Sequence, residues 1–112
     1  MILFKPEHVD PILRGEKIQT RRTGKCRWRP GSIHECRTEM FGKPFAKVRI
    51  LSVRQEPLGA ITEDDAMREG YGSVEEYLEA FFRIYEKKLK GMRLVDIGRM
   101  PVWVIDFEVV GP

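Results

Sequence analysis

Residues 15–22 read Gly15-Glu16-Lys17-Ile18-Gln19-Thr20-Arg21-Arg22. Gly15 stops a short helical segment running from Glu7 to Arg14, as a residue able to take positive φ should. Pro11 fits early in such a turn and not late in it. Lys17–Arg22 then reads as a strand or the approach to one, with Gln19, Thr20 and Arg21 too polar for a core. The stretch belongs to a basic block: residues 14–29 hold seven Lys and Arg against one acid. Residues 1–54 carry 13 basic and 5 acidic side chains, a charge of +8, and residues 55–112 carry 7 and 12, a charge of −5. A basic block of this kind attracts phosphate and suggests nucleic acid or a nucleotide as partner. The competing reading is a solvated face laced with ion pairs to the acidic half.

Outward from this block, Met1–Lys5 reads as a short first strand. Thr23–Gly31 is a loop closed by Pro30-Gly31, a turn signal. Ser32–Thr38 is a strand in which Ile33 alternates with polar neighbours. Phe45–Gln55 is the longest strand pattern, with Ala46, Val48 and Ile50 on one face. A bulge near Ile50–Leu51 would return Val53 to that face. Thr62 caps a helix reaching about Glu69, with Asp64 and Asp65 in its first turn. Gly70 and Gly72 break it. Ser73, with Glu76 completing a capping box, starts a second helix. Its apolar positions Val74, Tyr77, Leu78, Phe81, Phe82, Tyr85 and Leu89 carry it to Gly91. Val102–Val110 is the closing strand, with Trp103, Ile105, Phe107 and Val109 on one face and Asp106 and Glu108 on the other.

The expected fold is α+β: a barrel of about five to six strands, closed or nearly so, with helices inserted before the closing strand. An open α+β sandwich is the alternative. With 112 residues, 42% of them hydrophobic, the chain is expected to form one domain over 1–112. No apolar run approaches a membrane span, and the N-terminus lacks a signal-peptide pattern. A cytoplasmic location and no membrane partner are therefore expected. Two cysteines make no disulfide framework. There is no Asn and only two Gln, the usual bias of thermophile proteins.

Read as G-x-K-x-x-T-x-R, residues 15–22 resemble the signature of the ASCH family of small PUA-like barrels. Pro30-Gly31-Ser32 looks like that family's turn into the next strand. Residues 62–70 (Thr-Glu-Asp-Asp-Ala-Met-Arg-Glu-Gly) resemble its T-x-x-x-A-x-x-E helix. Ser73–Phe81 and Val102–Phe107 look like its following helix and closing strand. The resemblance implies a pseudobarrel with a cleft between the motif loop and the inserted helices. Some ASCH members remove the acyl group of N4-acetylcytidine, and their catalytic Lys, Thr and Glu match Lys17, Thr20 and Glu69. Others are described as RNA-binding or ribonucleolytic, so the resemblance speaks to fold more directly than to activity.

The chemistry stands on its own terms. A hydroxyl becomes a useful nucleophile when a base takes its proton. Lys17 and Thr20 lie three apart on a tight turn or distorted strand, where their side chains can converge. A Lys amine acts as base when burial or neighbouring cations lower its pKa, and Arg21 and Arg22 supply positive charge. Glu69 could carry a proton to the leaving amine. Arg22 could hold a carbonyl oxygen, a phosphate or Glu69 itself. The alternative is a structural ion-pair network of Lys17, Arg22 and Glu69, with Thr20 an ordinary strand residue.

Gly15, Arg21, Arg22, Arg27, Trp28, Arg29 and Tyr71 complete the candidate ligand contacts. Trp28 can stack on a base or anchor its loop, and Tyr71 can line the cleft beside Glu69. Cys26, His34 and Cys36, with His8 as a fourth ligand, do not match zinc spacing, so no metal and no cofactor are expected. Three readings follow: a binder of RNA or a modified nucleoside with a basic cleft, an amidohydrolase using Lys17, Thr20 and Glu69, and a protein-interaction module.

Overall fold

β5 (Pro101–Gly111) and β4 (Ala46–Pro57) pair antiparallel along most of their length and form the spine of the fold. A computed structural model describes residues 1–111. β2 (Gln19–Arg22) adds antiparallel to β5, and β3 (Ile33–Arg37) adds antiparallel to β4. β1 (Ile2–Leu3) runs parallel to β3, which gives the order β1-β3-β4-β5-β2. The sheet is a curled half-barrel: among the described residues its two outer strands, β1 and β2, do not pair with each other. The barrel is not fully closed, and the α+β class with helices inserted before the closing strand is as expected.

The bulge lies where expected. Ile50 pairs with Phe107 and Ser52 with Asp106, so Leu51 is the extra residue and is exposed. Beyond it Val53 returns to the face of Ile50, opposite Ile105. Two cores result. Ile2, Phe4, Ile12, Cys36, Val48, Ile50, Ile105 and Phe107 pack on one face of the sheet. Leu58, Ala66, Tyr77, Phe81, Leu89, Ile97, Val102 and Val104 pack on the other, under the helices. β5 therefore does not keep a single apolar face. Val102 and Val104 are buried on the side expected to be polar, because the helices cover it, while Val109 is exposed.

α1 (Val9–Leu13) follows a single 3-10 turn and ends at Gly15, whose φ is 75°. α2 (Glu63–Arg68) begins at Thr62, whose side chain accepts from the Asp65 amide while Asp65 accepts from the Thr62 amide. This is a complete capping box. The box expected at Ser73 forms only in half: Ser73 caps Glu76, but the Glu76 carboxylate accepts from the Gly72 amide. α3 (Val74–Ile84) stops at Tyr85, where φ and ψ of −105° and 23° leave the helical region, and α4 (Glu86–Leu89) restarts beyond it. The apolar repeat runs unbroken through this point, so it gave no sign of the break. α5 (Leu94–Arg99) has no counterpart among the expected elements. Its N-terminus has no side-chain cap, and Ile97 is its only buried residue. Among the described residues, no helix is long and apolar enough to cross a membrane.

Candidate functional site

The end of α2 is bolted to residues 15–22. The Ile18 amide donates to the Arg68 carbonyl at 2.8 Å, and the Phe107 amide donates to the Ile18 carbonyl at 3.0 Å. Arg68 offers one of the carbonyls a helix end leaves unpaired, so the motif loop serves as its partner. Gly70 then turns the chain with φ of 96°, and a Cβ there would come within 3.3 Å of the Lys17 stem. Both features bring Glu69 over Lys17.

Lys17 is buried, and its Nζ donates to three oxygens: the Gln19 carbonyl at 3.1 Å, the Glu69 carbonyl at 2.8 Å and Glu69 Oε1 at 2.9 Å. An ammonium has three N–H donors and a neutral amine has two plus a lone pair. The geometry therefore fits the charged form. Burial still pulls the Lys17 pKa below its ordinary value, with Glu69 pulling the other way.

β2 carries two different polar faces, because its side chains alternate. Gln19 and Arg21 point to one side. Arg21 pairs with Glu69 Oε2 at 3.1 Å, Glu56 at 3.0 Å and Asp65 at 3.3 Å, and its side chain is wholly buried. Gln19 accepts from Arg21 and donates to Asp106 at 2.7 Å. Asp106 in turn accepts from Ser52 and Arg54. The expectation that Gln19, Thr20 and Arg21 are too polar for a core is thus overturned. All three are buried: carboxylates from β4 and α2 meet Arg21 inside, Gln19 is paired to Arg21 and Asp106, and the Thr20 hydroxyl is bonded on the opposite side of the strand.

Thr20 and Arg22 point to the other side. Arg22 Nε donates to Thr20 Oγ1 at 3.0 Å. The Arg22 guanidinium lies 4.9 Å from the Phe4 ring centre and 5.9 Å from that of Trp28. Among the described residues it has no carboxylate partner. The ion-pair network expected of Lys17, Arg22 and Glu69 is instead one of Lys17, Arg21 and Glu69.

Lys17, Thr20, Arg21, Arg22 and Glu69 all line one cleft of about 80 Å³, with Tyr71, Tyr77, Tyr85, Phe4 and His8 among its walls. Thr20 shares the cleft with the Lys17–Glu69 pair, but its hydroxyl is bonded to Arg22. Tyr71 OH bonds His8 Nε2 at 2.8 Å, and the two rings meet edge to face. Burial is the main reason the His8 pKa falls to about 4, with Lys17 adding to it, and burial pushes the Tyr71 phenol up to about 12. His8 is therefore a neutral ring at pH 7.

A wider basin of about 580 Å³ adjoins the cleft, and Leu3, Arg22 and Tyr85 line both. Lys25, Arg27 and Trp28 line the basin. Trp28 also packs on the first core, as an anchored loop residue would. Trp103 Nε1 holds this loop by donating to the Gly24 carbonyl. Arg29 is exposed and lines neither cavity, and Gly15 lies outside both, at the end of α1. The walls that sequence reasoning missed are Phe4 and His8, delivered by the parallel β1 and the turn after it, and Tyr77 and Tyr85, whose helical spacing pointed only to a core. Cys36 is buried in the first core, and burial raises its thiol pKa to about 11.

The ASCH domain family model matches residues 1–111. Among solved structures, the chain is similar to an ASCH domain from Lactobacillus crispatus: 25% identity, a TM-score of 0.76, and cover of 93% of this chain and 70% of that one. A protein from Enterococcus faecalis gives a TM-score of 0.76 at 20% identity, covering 94% of this chain and 68% of that one. An ASCH protein from Zymomonas mobilis gives 0.60 at 13% identity, covering 98% and 73%. The last two bear on the fold alone. No curated protein matches the chain.

Proposed function

We propose that this chain, which belongs to the ASCH domain family, binds a nucleobase of RNA or of a modified nucleoside in the cleft between β2 and the end of α2. The observation that carries this reading is the make-up of that cleft. Its floor is a set of fixed polar groups, its walls are aromatic, and it opens onto a basin lined by Arg22, Lys25, Arg27 and Trp28. A base offers hydrogen-bonding edges and π-faces, and its backbone offers phosphate, so each part of the site has a counterpart in the ligand. At about 80 Å³ the inner cleft takes the edge of a base and its substituent, not a whole nucleoside. The remainder of the ligand lies in the basin.

The test is a titration of short single-stranded RNA, and separately of N4-acetylcytidine, monitored by tryptophan fluorescence. RNA affinity should fall steeply with salt, since each neutralised phosphate releases counterions. Lys25→Ala with Arg27→Ala should reduce the slope of log K against log salt by about 0.7 for each phosphate that is no longer neutralised. The reading fails if neither RNA nor nucleoside binds at low salt.

The presence of Lys17, Thr20 and Glu69 in one cleft supports a second reading, an amidohydrolase acting on N4-acetylcytidine-type substrates. Thr20 would be the nucleophile. With all three Lys17 donors engaged, that reading requires Glu69 or a displaced Lys17 to take the Thr20 proton. Acetate release that disappears in Thr20→Val would select it.

A further inference from the structure

Arg22 has an unusual position for a largely covered cation. Its neighbour Arg21 spends its charge on three carboxylates, whereas among the described residues Arg22 has only the Thr20 hydroxyl and two aromatic rings. Its terminal nitrogens have no protein partner among the described residues, and neither is sealed from solvent. Among the described residues Glu69 is the one carboxylate lining the inner cleft, and both of its oxygens are engaged by Lys17 and Arg21. Among the described residues no acidic side chain lines the basin, and Lys25 and Arg27 add positive charge to it. Burial pulls the Arg22 pKa below the ordinary guanidinium value. Such a cation gains from an anion that displaces water at its open edge.

We propose that Arg22 is the centre of a phosphate site at the junction of the two cavities, so that the cleft takes nucleotides, base inward and phosphate on Arg22, in preference to free nucleosides. The proposal rests on the nucleobase reading for the base, and on Arg22 alone for the phosphate. The guanidinium donates to Thr20 at Nε and lies near the rings of Phe4 and Trp28, which leaves its two terminal nitrogens as a preset fork. A fork of that shape matches two phosphate oxygens. Lys25 and Arg27, on the loop fixed by Trp103, provide longer-range attraction from the basin side. A nucleoside places its base edge in the inner cleft but leaves the fork to water.

The experiment is calorimetric titration at low salt of cytidine, cytidine 5′-monophosphate, cytidine 3′-monophosphate and inorganic phosphate, each against wild type, Arg22→Gln and Arg22→Lys. At least one monophosphate should bind roughly 10- to 100-fold more tightly than cytidine, the range expected of hydrogen bonds to a charged group. The ester that wins tells which side of the sugar faces Arg22. Arg22→Gln should erase the preference, and Arg22→Lys, which keeps the charge without the fork, should retain part of it. Inorganic phosphate should bind wild type weakly and Arg22→Gln not at all. Equal affinity for nucleoside and nucleotide overturns the phosphate site while the nucleobase reading stands. Phosphate binding that depends on Arg22, with no binding of any nucleoside or nucleotide, keeps the site and overturns the nucleobase reading. Binding of none of the four overturns both. Should Arg22→Gln fail to fold, Lys25→Ala with Arg27→Ala on the exposed loop should weaken the monophosphate by a larger factor than cytidine; loss of both ligands by the same factor would overturn the proposal.

Discussion

Arg21 and Arg22 are consecutive, share β2, and end in opposite electrostatic surroundings. Arg21 faces the helices and is neutralised by Glu56, Asp65 and Glu69. Arg22 faces Phe4 and Trp28 and, among the described residues, meets no carboxylate. The strand's alternation sends them to opposite faces, and the topology decides what each face meets. β4 and α2 bring acids to one side, while β1 and the β2–β3 loop bring rings to the other. One side of β2 is thus built to hold the site together and the other to receive something.

The largest consequence concerns stability. Arg21→Met should destabilise the protein by about 3–5 kcal/mol, because it leaves buried carboxylates without their cation. Arg22→Met should cost less than about 2 kcal/mol, the scale of a stacked cation and one hydrogen bond. Urea unfolding of both variants gives the two numbers. Equal losses would end the distinction between a structural and a receptive arginine. A loss in Arg22→Met alone would invert it.

This asymmetry was only partly legible in the sequence. The resemblance of residues 15–22 and 62–70 to the ASCH pattern led to Lys17, Thr20 and Glu69, and all three line one cleft. Local signals also located the Thr62 cap, the bulge at Leu51 and the stop at Gly15. What the sequence did not show was who pairs with whom. Alternation separates Arg21 from Arg22, but the partners of Arg21 lie 35, 44 and 48 residues away, and only the fold brings them to it. Without them, three polar residues in a strand read as solvent-facing. Likewise, Tyr77 and Tyr85 have the spacing of a core face, and they do pack in or against one. That they also wall a cleft follows from β1 and His8 arriving opposite. The break at Tyr85 left no mark because Phe81, Tyr85 and Leu89 keep helical spacing across it.

A second prediction uses pH and the Arg22 side. His8 has an ordinary pKa near 6.5, and in the folded protein it lies at about 4, lowered first by burial, then by Lys17 and, more weakly, by Arg22 and Lys5 against the opposing Glu7. The unfolded ring takes its proton first. Stability is therefore complete above pH 6.5 and is lost as pH falls from 6.5 toward 4. Discounted for the partial exposure of His8, the loss should be about 1–2 kcal/mol. His8→Gln should flatten this window. Arg22→Met should narrow it, since one of the cations opposing protonation is gone. Asp65 and Asp106 act in a different range. Both are held below the ordinary carboxylate value, so their contribution is lost only below about pH 3.8, as pH falls through their folded pKa. A flat stability profile between pH 6.5 and 4.5 would show that His8 is not buried against the cleft.

The smallest effect tests the Arg21 side from a distance. Thr62 does not touch Arg21, but it caps α2 and bonds Asp65 through its amide and hydroxyl. Burial pushes the Asp65 carboxyl up. The hydrogen bonds with Thr62 and the charges of Arg21 and Arg54 outweigh this and hold it below its ordinary value. Thr62→Ala removes the hydroxyl cap and should cost about 1 kcal/mol, the usual scale for an N-cap. If the cap also positions Asp65 against Arg21, the cost should shrink in the Arg21→Met background, where Asp65 has lost that partner. A coupling above about 0.5 kcal/mol in the double-mutant cycle would establish that link. Strict additivity would mean that the cap serves α2 alone and that the buried charges hold Arg21 without its help. The same cycle with Arg22→Met is the control. Arg22 lies on the other face of β2, so its effect and that of Thr62→Ala should add. Coupling there as large as with Arg21 would show that the two faces of the strand are not independent.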